Sequence, residues 1–295
     1  MNPPLIISAS RRTDLPAFYS EWFMGRVGAG FLKTRNPFSE KEIRVSLKPE
    51  DVAAVVFWTK NFSPMMRHLP ELEDCGIFFL VHYTITGLGK DFEPNAPATE
   101  EAVKNFRQLS ERLGPERVLW RFDPIVLTAR LREEETLARF SRQCSMLAGS
   151  TQRVYFSFVE LYARVARRIK HYEHQTRDRV LEPGPALKQR ISARLAELAH
   201  SRGMSLYACC EPELLGFGVE PAHCIDADFI SRLTGKNFER KPSPTRKSCG
   251  CDYAIDIGAY DSCKHLCWYC YANSHPALAR KNYSAHRWQA EFLVK

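Results

Sequence analysis

Short β-rich runs alternate with helical stretches along almost the whole chain, and this alternation limits the fold more than any other feature. Leu5–Ser10, Val55–Thr59, Ile77–Thr86, Val118–Phe122, Val154–Val159, Ser205–Ala208 and Tyr253–Ile257 read as strands. Between them, Phe18–Val27, Met65–Leu72, Glu100–Leu113, Glu133–Leu147 and Pro185–Arg202 carry helical patterning. Phe31–Thr34 and Ile43–Ser46 read as a small hairpin. Strands separated by helices pair in parallel, because each helix carries the chain back to the starting edge. Roughly seven such units predict an α/β fold built as a full or partial TIM-type barrel. An open doubly wound sheet is the alternative, since a linear pattern does not show whether the last strand meets the first.

At 295 residues, with 44% hydrophobic and 26% charged side chains, the chain can bury a large core as a single domain spanning 1–295. No apolar run approaches the roughly 20 residues of a membrane span, and the Met1–Leu5 start does not resemble a secretion signal. A cytoplasmic location with no membrane partner is expected. The net charge of +8 makes nucleic acid a candidate partner. The densest basic run, Arg164–Lys170, reads as a solvated helix face. Lys236–Lys247, with Pro242 and Pro244, reads as a loop.

In a parallel barrel the active site lies beyond the carboxyl ends of the strands. Several expected strands end in polar groups: Ser10-Arg11-Arg12-Thr13-Asp14, Thr59-Lys60-Asn61, Tyr83-Thr84-Ile85-Thr86, Arg121-Phe122-Asp123-Pro124 and Glu160. Arg11, Arg12, Lys60, Arg121, Asp123 and Glu160 are therefore the candidate catalytic side chains. Taken singly, each also fits a surface ion pair or a helix cap, and Asp14 before Leu15-Pro16 fits an N-cap.

Eight of the ten cysteines fall between Cys209 and Cys270. Crowding of this kind in a cytoplasmic chain points to metal ligation rather than disulfides. The sharpest part is Cys263-Lys264-His265-Leu266-Cys267-Trp268-Tyr269-Cys270, a C-x-x-x-C-x-x-C loop. Three thiolates on one tight loop can hold three irons of a cubane and leave the fourth iron open to an outside ligand. Zinc held by the cysteines with His265 or His275, and a closed electron-transfer cluster, are the other readings. Cys209, Cys224, Cys249 and Cys251, with Cys210 beside them, form a second candidate metal group for an iron–sulfur cluster or zinc, the cluster being slightly preferred. The whole cysteine-rich part spans 203–275.

The stretch from Tyr260 to Asn273 resembles the radical S-adenosylmethionine (SAM) signature, and within that superfamily the cluster loop of the spore photoproduct lyase-like branch. Val56–Asn61 and Arg121–Pro124 are similar to strand ends of the same branch. From Ile7-Ser8-Ala9-Ser10-Arg11-Arg12-Thr13-Asp14 to Ala272-Asn273, the chain resembles an uncharacterised bacterial and archaeal family with a C-terminal radical-SAM-like cysteine cluster. The resemblance implies a 4Fe–4S cluster on Cys263, Cys267 and Cys270, with SAM on the open iron and Tyr269 and Asn273 among the cofactor-binding residues. It also implies a one-electron donor such as flavodoxin or ferredoxin, and production of a 5′-deoxyadenosyl radical. No Gly-Gly-Glu segment is present for the SAM amino group. The motif ordinarily follows the first barrel strand, whereas here it follows the last. A circular permutation, with Tyr253–Ile257 as the displaced first strand, would reconcile the two orders.

The rival readings are an iron–sulfur protein that transfers electrons or senses redox state without cleaving SAM, and a zinc-stapled nucleic-acid-binding module. The substrate is not legible in the sequence; nucleic acid or a nucleotide is the class to test.

Overall fold

The computed structural model describes residues 4–294. Among the described residues twelve strands form: β1 (Leu5–Ala9), β2 (Phe31–Arg35), β3 (Glu42–Ser46), β4 (Val52–Thr59), β5 (Phe79–Thr84), β6 (Val118–Ile125), β7 (Leu127–Thr128), β8 (Arg153–Phe158), β9 (Val180–Leu181), β10 (Ser205–Ala208), β11 (Val219–Pro221) and β12 (Ile255–Asp256). Eight of them make one sheet in the order β11-β10-β8-β6-β5-β4-β1-β12. Every pairing in it is parallel. The order follows the chain from β1 to β11, and then the last strand returns to lie against the first, Ile7 opposite Ile255 and Ser8 opposite Asp256. Among the described residues no ladder joins β11 to β12. The architecture is thus an α/β fold with a large parallel sheet. The expected hairpin is present, pairing β2 with β3 from Phe31–Ser46 to Arg35–Glu42.

Side chains alternate across the sheet because the strand repeat is two. Ile7, Val55, Phe57, Val81, Trp120 and Phe156 point to the face covered by the helices, where they meet Phe23, Phe106, Phe140 and Leu195. Ile6, Ala54, Val56, Leu80, Leu119 and Tyr155 point the other way. That second face is covered by the segment that carries Cys224, Ile225, Phe229, Ile230 and Cys251.

Several expectations shift in detail. Met65–Leu72 is two short helices, Ser63–Met66 and Leu69–Asp74, each with a proline in its first turn. Tyr253–Ile257 shortens to the two residues of β12. This edge strand pairs on one side only, so little holds a longer extended run. The helices Ala163–Thr176, Ala227–Thr234 and Pro276–Ser284 complete the fold. Among the described residues no helix is long and apolar enough to cross a membrane.

Candidate metal and active site

The loop bearing Cys263, Cys267 and Cys270 starts five residues after β12 turns at Gly258. Close approach explains the glycine, since a Cβ at Gly258 would lie 2.0 Å from Ser10 Oγ. Asp256 ties β12 to the end of β1 by accepting from Ser8 Oγ (2.7 Å), Ser10 Oγ (2.6 Å) and Arg11 N (2.9 Å).

Buried polar groups hold the cysteine loop itself. Arg168, 7% exposed, donates to the carbonyls of Leu266 (3.0 Å), Cys267 (2.7 Å) and Asn273 (3.1 Å). The Asn273 amide donates to Cys263 O at 2.7 Å, and Asn95 donates to Lys264 O at 2.7 Å. Asn273 Oδ1 is buried with no protein partner. The solvated-face reading of Arg164–Lys170 is therefore corrected at Arg168. The signal was available: Val165, Ile169 and Tyr172 form a buried stripe at helical spacing, and Arg168 is buried with them.

Asp14 is the N-cap of Leu15–Phe18, as expected, accepting from Ala17 N at 2.9 Å. The same buried carboxylate accepts from Thr59 Oγ1 (2.8 Å), Lys60 N (2.7 Å) and His265 Nε2 (2.8 Å). His265 Nδ1 faces Asn95 O at 3.2 Å. Both ring nitrogens are thus engaged, which removes His265 from any ligand set. His275 Nδ1 accepts from Ala277 N as a helix cap.

Lys60 and Glu93 form a buried pair at 2.8 Å next to this loop. Glu93 also accepts from Thr86 Oγ1 (2.6 Å) and from the Tyr269 hydroxyl. Burial opposes the Lys60 charge, but Glu93, Cys267 and Asp14 outweigh burial and raise its pKa. Burial likewise opposes the Glu93 charge, and Lys60 with the two hydroxyl donors outweighs it and lowers the pKa. A cavity of about 200 Å³ opens beside the pair, lined also by Thr84, Thr86, Gly87 and Thr99. Burial, then the nearby Cys270, Asp14 and Cys267, raise the Cys263 thiol. Burial also raises Cys267. Ionising these thiols together needs a cation among them.

The other expected residues gather at a neighbouring point. Arg121 donates to Asp123 at 2.5 Å and to Cys224 Sγ at 3.1 Å. Asp123 also accepts from Ser157 Oγ. Cys224 and Cys209 lie 3.3 Å apart. Arg11 lies beside the second thiol group: Asp256, Cys251 and Cys224 act on its charge, as does Tyr271, and its guanidinium stands 5.6 Å over Trp58. Arg12 is a brace for β12, reaching Asp256 at 3.9 Å and Gly258 O at 3.4 Å. Glu160 is half-exposed and pairs with Tyr162 and Arg246, and Arg246 reaches Cys209 O at 3.2 Å. His82, which the sequence reading passed over, bonds to Cys224 O at 2.9 Å and stacks on Trp58. Burial, with Arg121 adding, pushes it down to about 4. Lys60 therefore belongs with the Cys263–Cys270 loop, while Arg121 and Asp123 belong with Cys209 and Cys224. Among the described residues, no group of three or more His, Cys, Asp or Glu side chains stands arranged as a finished metal cage.

Residues 6–272 match the family described as "Domain of unknown function (DUF1848)". The chain belongs to that family. No curated protein matches the DUF1848 chain. Among solved structures, the crystal structure of D-hydantoinase aligns at a TM-score of 0.33 and 13% identity, over 74% of this chain and 45% of that one. The chain thus spans under half the length of that protein, and so remote a likeness places no constraint on its chemistry.

Proposed function

We propose that the protein is a radical SAM enzyme built on a partial TIM-type barrel read in permuted order. The observation that carries this reading is the origin of the three-cysteine loop. It leaves the carboxyl end of β12, which lies parallel against β1, beside the polar ends of β1 and β4. In barrel order β12 then takes the first position, where the motif ordinarily follows. The order of the sheet tracks the chain, and the helices Ser20–Gly28, Thr99–Leu113, Glu133–Leu147 and Pro185–His200 pack on one face of it, which supports the barrel arrangement.

Cys263, Cys267 and Cys270 would hold a 4Fe–4S cluster, which supplies one-electron cleavage of SAM when the cofactor is bound. The chain's own residues position the loop and its surroundings. Arg168 and Asn273 hold the loop backbone, with Asn273 acting through the Cys263 carbonyl. Glu93, itself held by Lys60, accepts from the Tyr269 hydroxyl next to the small cavity. Arg11, beside Tyr271, supplies a cation next to Cys224 and Cys251. The net charge of +8 supports nucleic acid or a nucleotide as the first substrate class to test. Affinity for DNA or RNA should then fall steeply with salt, and a salt-independent affinity would count against that class.

The decisive experiment is anaerobic reconstitution with iron and sulfide, reduction with dithionite, and chromatographic assay of SAM conversion to 5′-deoxyadenosine. Product is expected from the wild-type chain and none from Cys267→Ala. A well-formed cluster that neither binds nor cleaves SAM would assign electron transfer or redox sensing instead.

A further inference from the structure

We infer that Cys209, Cys224, Cys249 and Cys251 form a four-thiolate site for a single divalent metal, of the zinc class, separate from the Cys263–Cys270 loop. Its role is to staple the segment running from β11 to β12 over the second face of the sheet.

The thiols come from three places in the chain and gather in one region. Cys209 follows β10, Cys224 follows β11, and Cys249 and Cys251 precede β12. Cys209 Sγ and Cys224 Sγ are 3.3 Å apart. Cys251 neighbours both Cys224 and Cys249, Cys249 neighbours Cys210, and Cys210 neighbours Cys209. The five cysteines thus form a ring of neighbours. Cys209, Cys224 and Cys251 are buried in the apolar cluster with Ile6, Leu80 and Tyr155.

Spacing selects the metal class. Four thiolates on one tetrahedral ion at about 2.3 Å stand about 3.8 Å from each other. The Cys209–Cys224 separation of 3.3 Å is within about 0.5 Å of that edge. A cubane holds its thiolates farther apart, because each binds a different iron. The slight preference for a second iron–sulfur cluster drawn from the sequence is thereby reversed.

Charge and backbone fit the same ligand. Four thiolates around one divalent ion leave a net charge of −2, and three guanidinium groups surround the ring: Arg121 on Cys224 at 3.1 Å, Arg11 near Cys224 and Cys251, and Arg246 near Cys209 and Cys210. Gly250 lets Cys249 and Cys251 turn inward together, since a Cβ there would meet the His223 ring at 2.6 Å. Cys210 is half-buried, has a left-handed φ of 62°, and is the thiol left over at the rim.

The test uses the full chain carrying Cys263→Ser, Cys267→Ser and Cys270→Ser, so that any metal retained belongs to the second group. One zinc per chain and no iron is expected, with cobalt replacing it to give the absorption of tetrahedral thiolate coordination. Adding Cys224→Ser or Cys251→Ser should abolish retention, and adding Cys210→Ser should leave it. About four irons per chain would overturn the assignment in favour of a cubane. Absence of bound metal would overturn it, and a mass lower by two hydrogens, marking a Cys209–Cys224 disulfide formed by loss of two protons and two electrons to an oxidant such as dioxygen, would assign a redox pair instead. Should the triple variant not fold, zinc-edge absorption of the wild-type chain decides: four sulfurs at about 2.3 Å are expected, and any nitrogen or oxygen ligand refutes the site.

Discussion

Replacing Arg168 by methionine should loosen the Cys263–Cys270 loop without disturbing the sheet. Methionine keeps most of the side-chain volume and removes the charge. Three hydrogen bonds disappear, at 3.1, 3.0 and 2.7 Å, all from one guanidinium that is 7% exposed. Hydrogen bonds from a charged donor are worth about 1.5–3 kcal/mol each. Their gross sum is partly offset, because the variant no longer has to keep a cation out of water, a cost of several kcal/mol. Loss of the contact with the Trp268 ring, 5.9 Å away, removes a further ~0.5–1 kcal/mol. The net loss is about 3 kcal/mol, which corresponds to loop opening roughly 150-fold more frequent. Native-state hydrogen exchange reads this directly at the Trp268 and Cys270 amides, which donate to Phe92 O and Cys267 O. Iron retention after reconstitution should fall in parallel. Arg167→Met is the control, because Arg167 is exposed and donates only to Ala163 O of its own helix. If Arg168→Met exchanges within about threefold of the Arg167 variant, the clamp carries none of the assigned energy and the reasoning fails.

Lys60→Met leaves Glu93 buried beside its two hydroxyl donors without its cation, and should cost about 3–5 kcal/mol in denaturant unfolding. Lys60→Met/Glu93→Gln should recover most of that loss, and a double variant as unstable as the single one would show that the pair is not the cause. The lowered Glu93 pKa contributes stability that is present above its ordinary value of 4.5 and is lost as pH falls through the lower native value. Glu93→Gln should therefore flatten the acid limb of the stability profile below about pH 4.5, and an unchanged limb would contradict this. Asp14→Asn cannot serve all four donors that now converge on the carboxylate, and a loss of about 2–4 kcal/mol is expected by thermal denaturation. Gly258→Ala should cost about 1–3 kcal/mol through the clash with Ser10, and a neutral result would mean that β12 is free to move away from β1.

The chain by itself determined the α/β class, the parallel sheet and most of its helices. Hydrophobic periodicity is local, and alternation of strand and helix leaves parallel pairing as the economical solution. It also determined the cysteine loop, because three thiols within eight residues need no fold to bring them near one another. The Asp14 cap was legible for the same reason, since its Ala17 partner is three residues away.

Only the tertiary structure decided what long-range contacts decide. Asp14 meets His265 across 251 positions, and Arg168 reaches the loop about 100 positions further on. It also separated the polar strand ends, giving Lys60 to the three-cysteine loop and Arg121 with Asp123 to the second thiol group. Side chains from different strands carry no mark in the sequence of the point toward which they aim. That point is set by the pleat, the strand order and the segment packed over the second face of the sheet, all of which exist only once the sheet has formed.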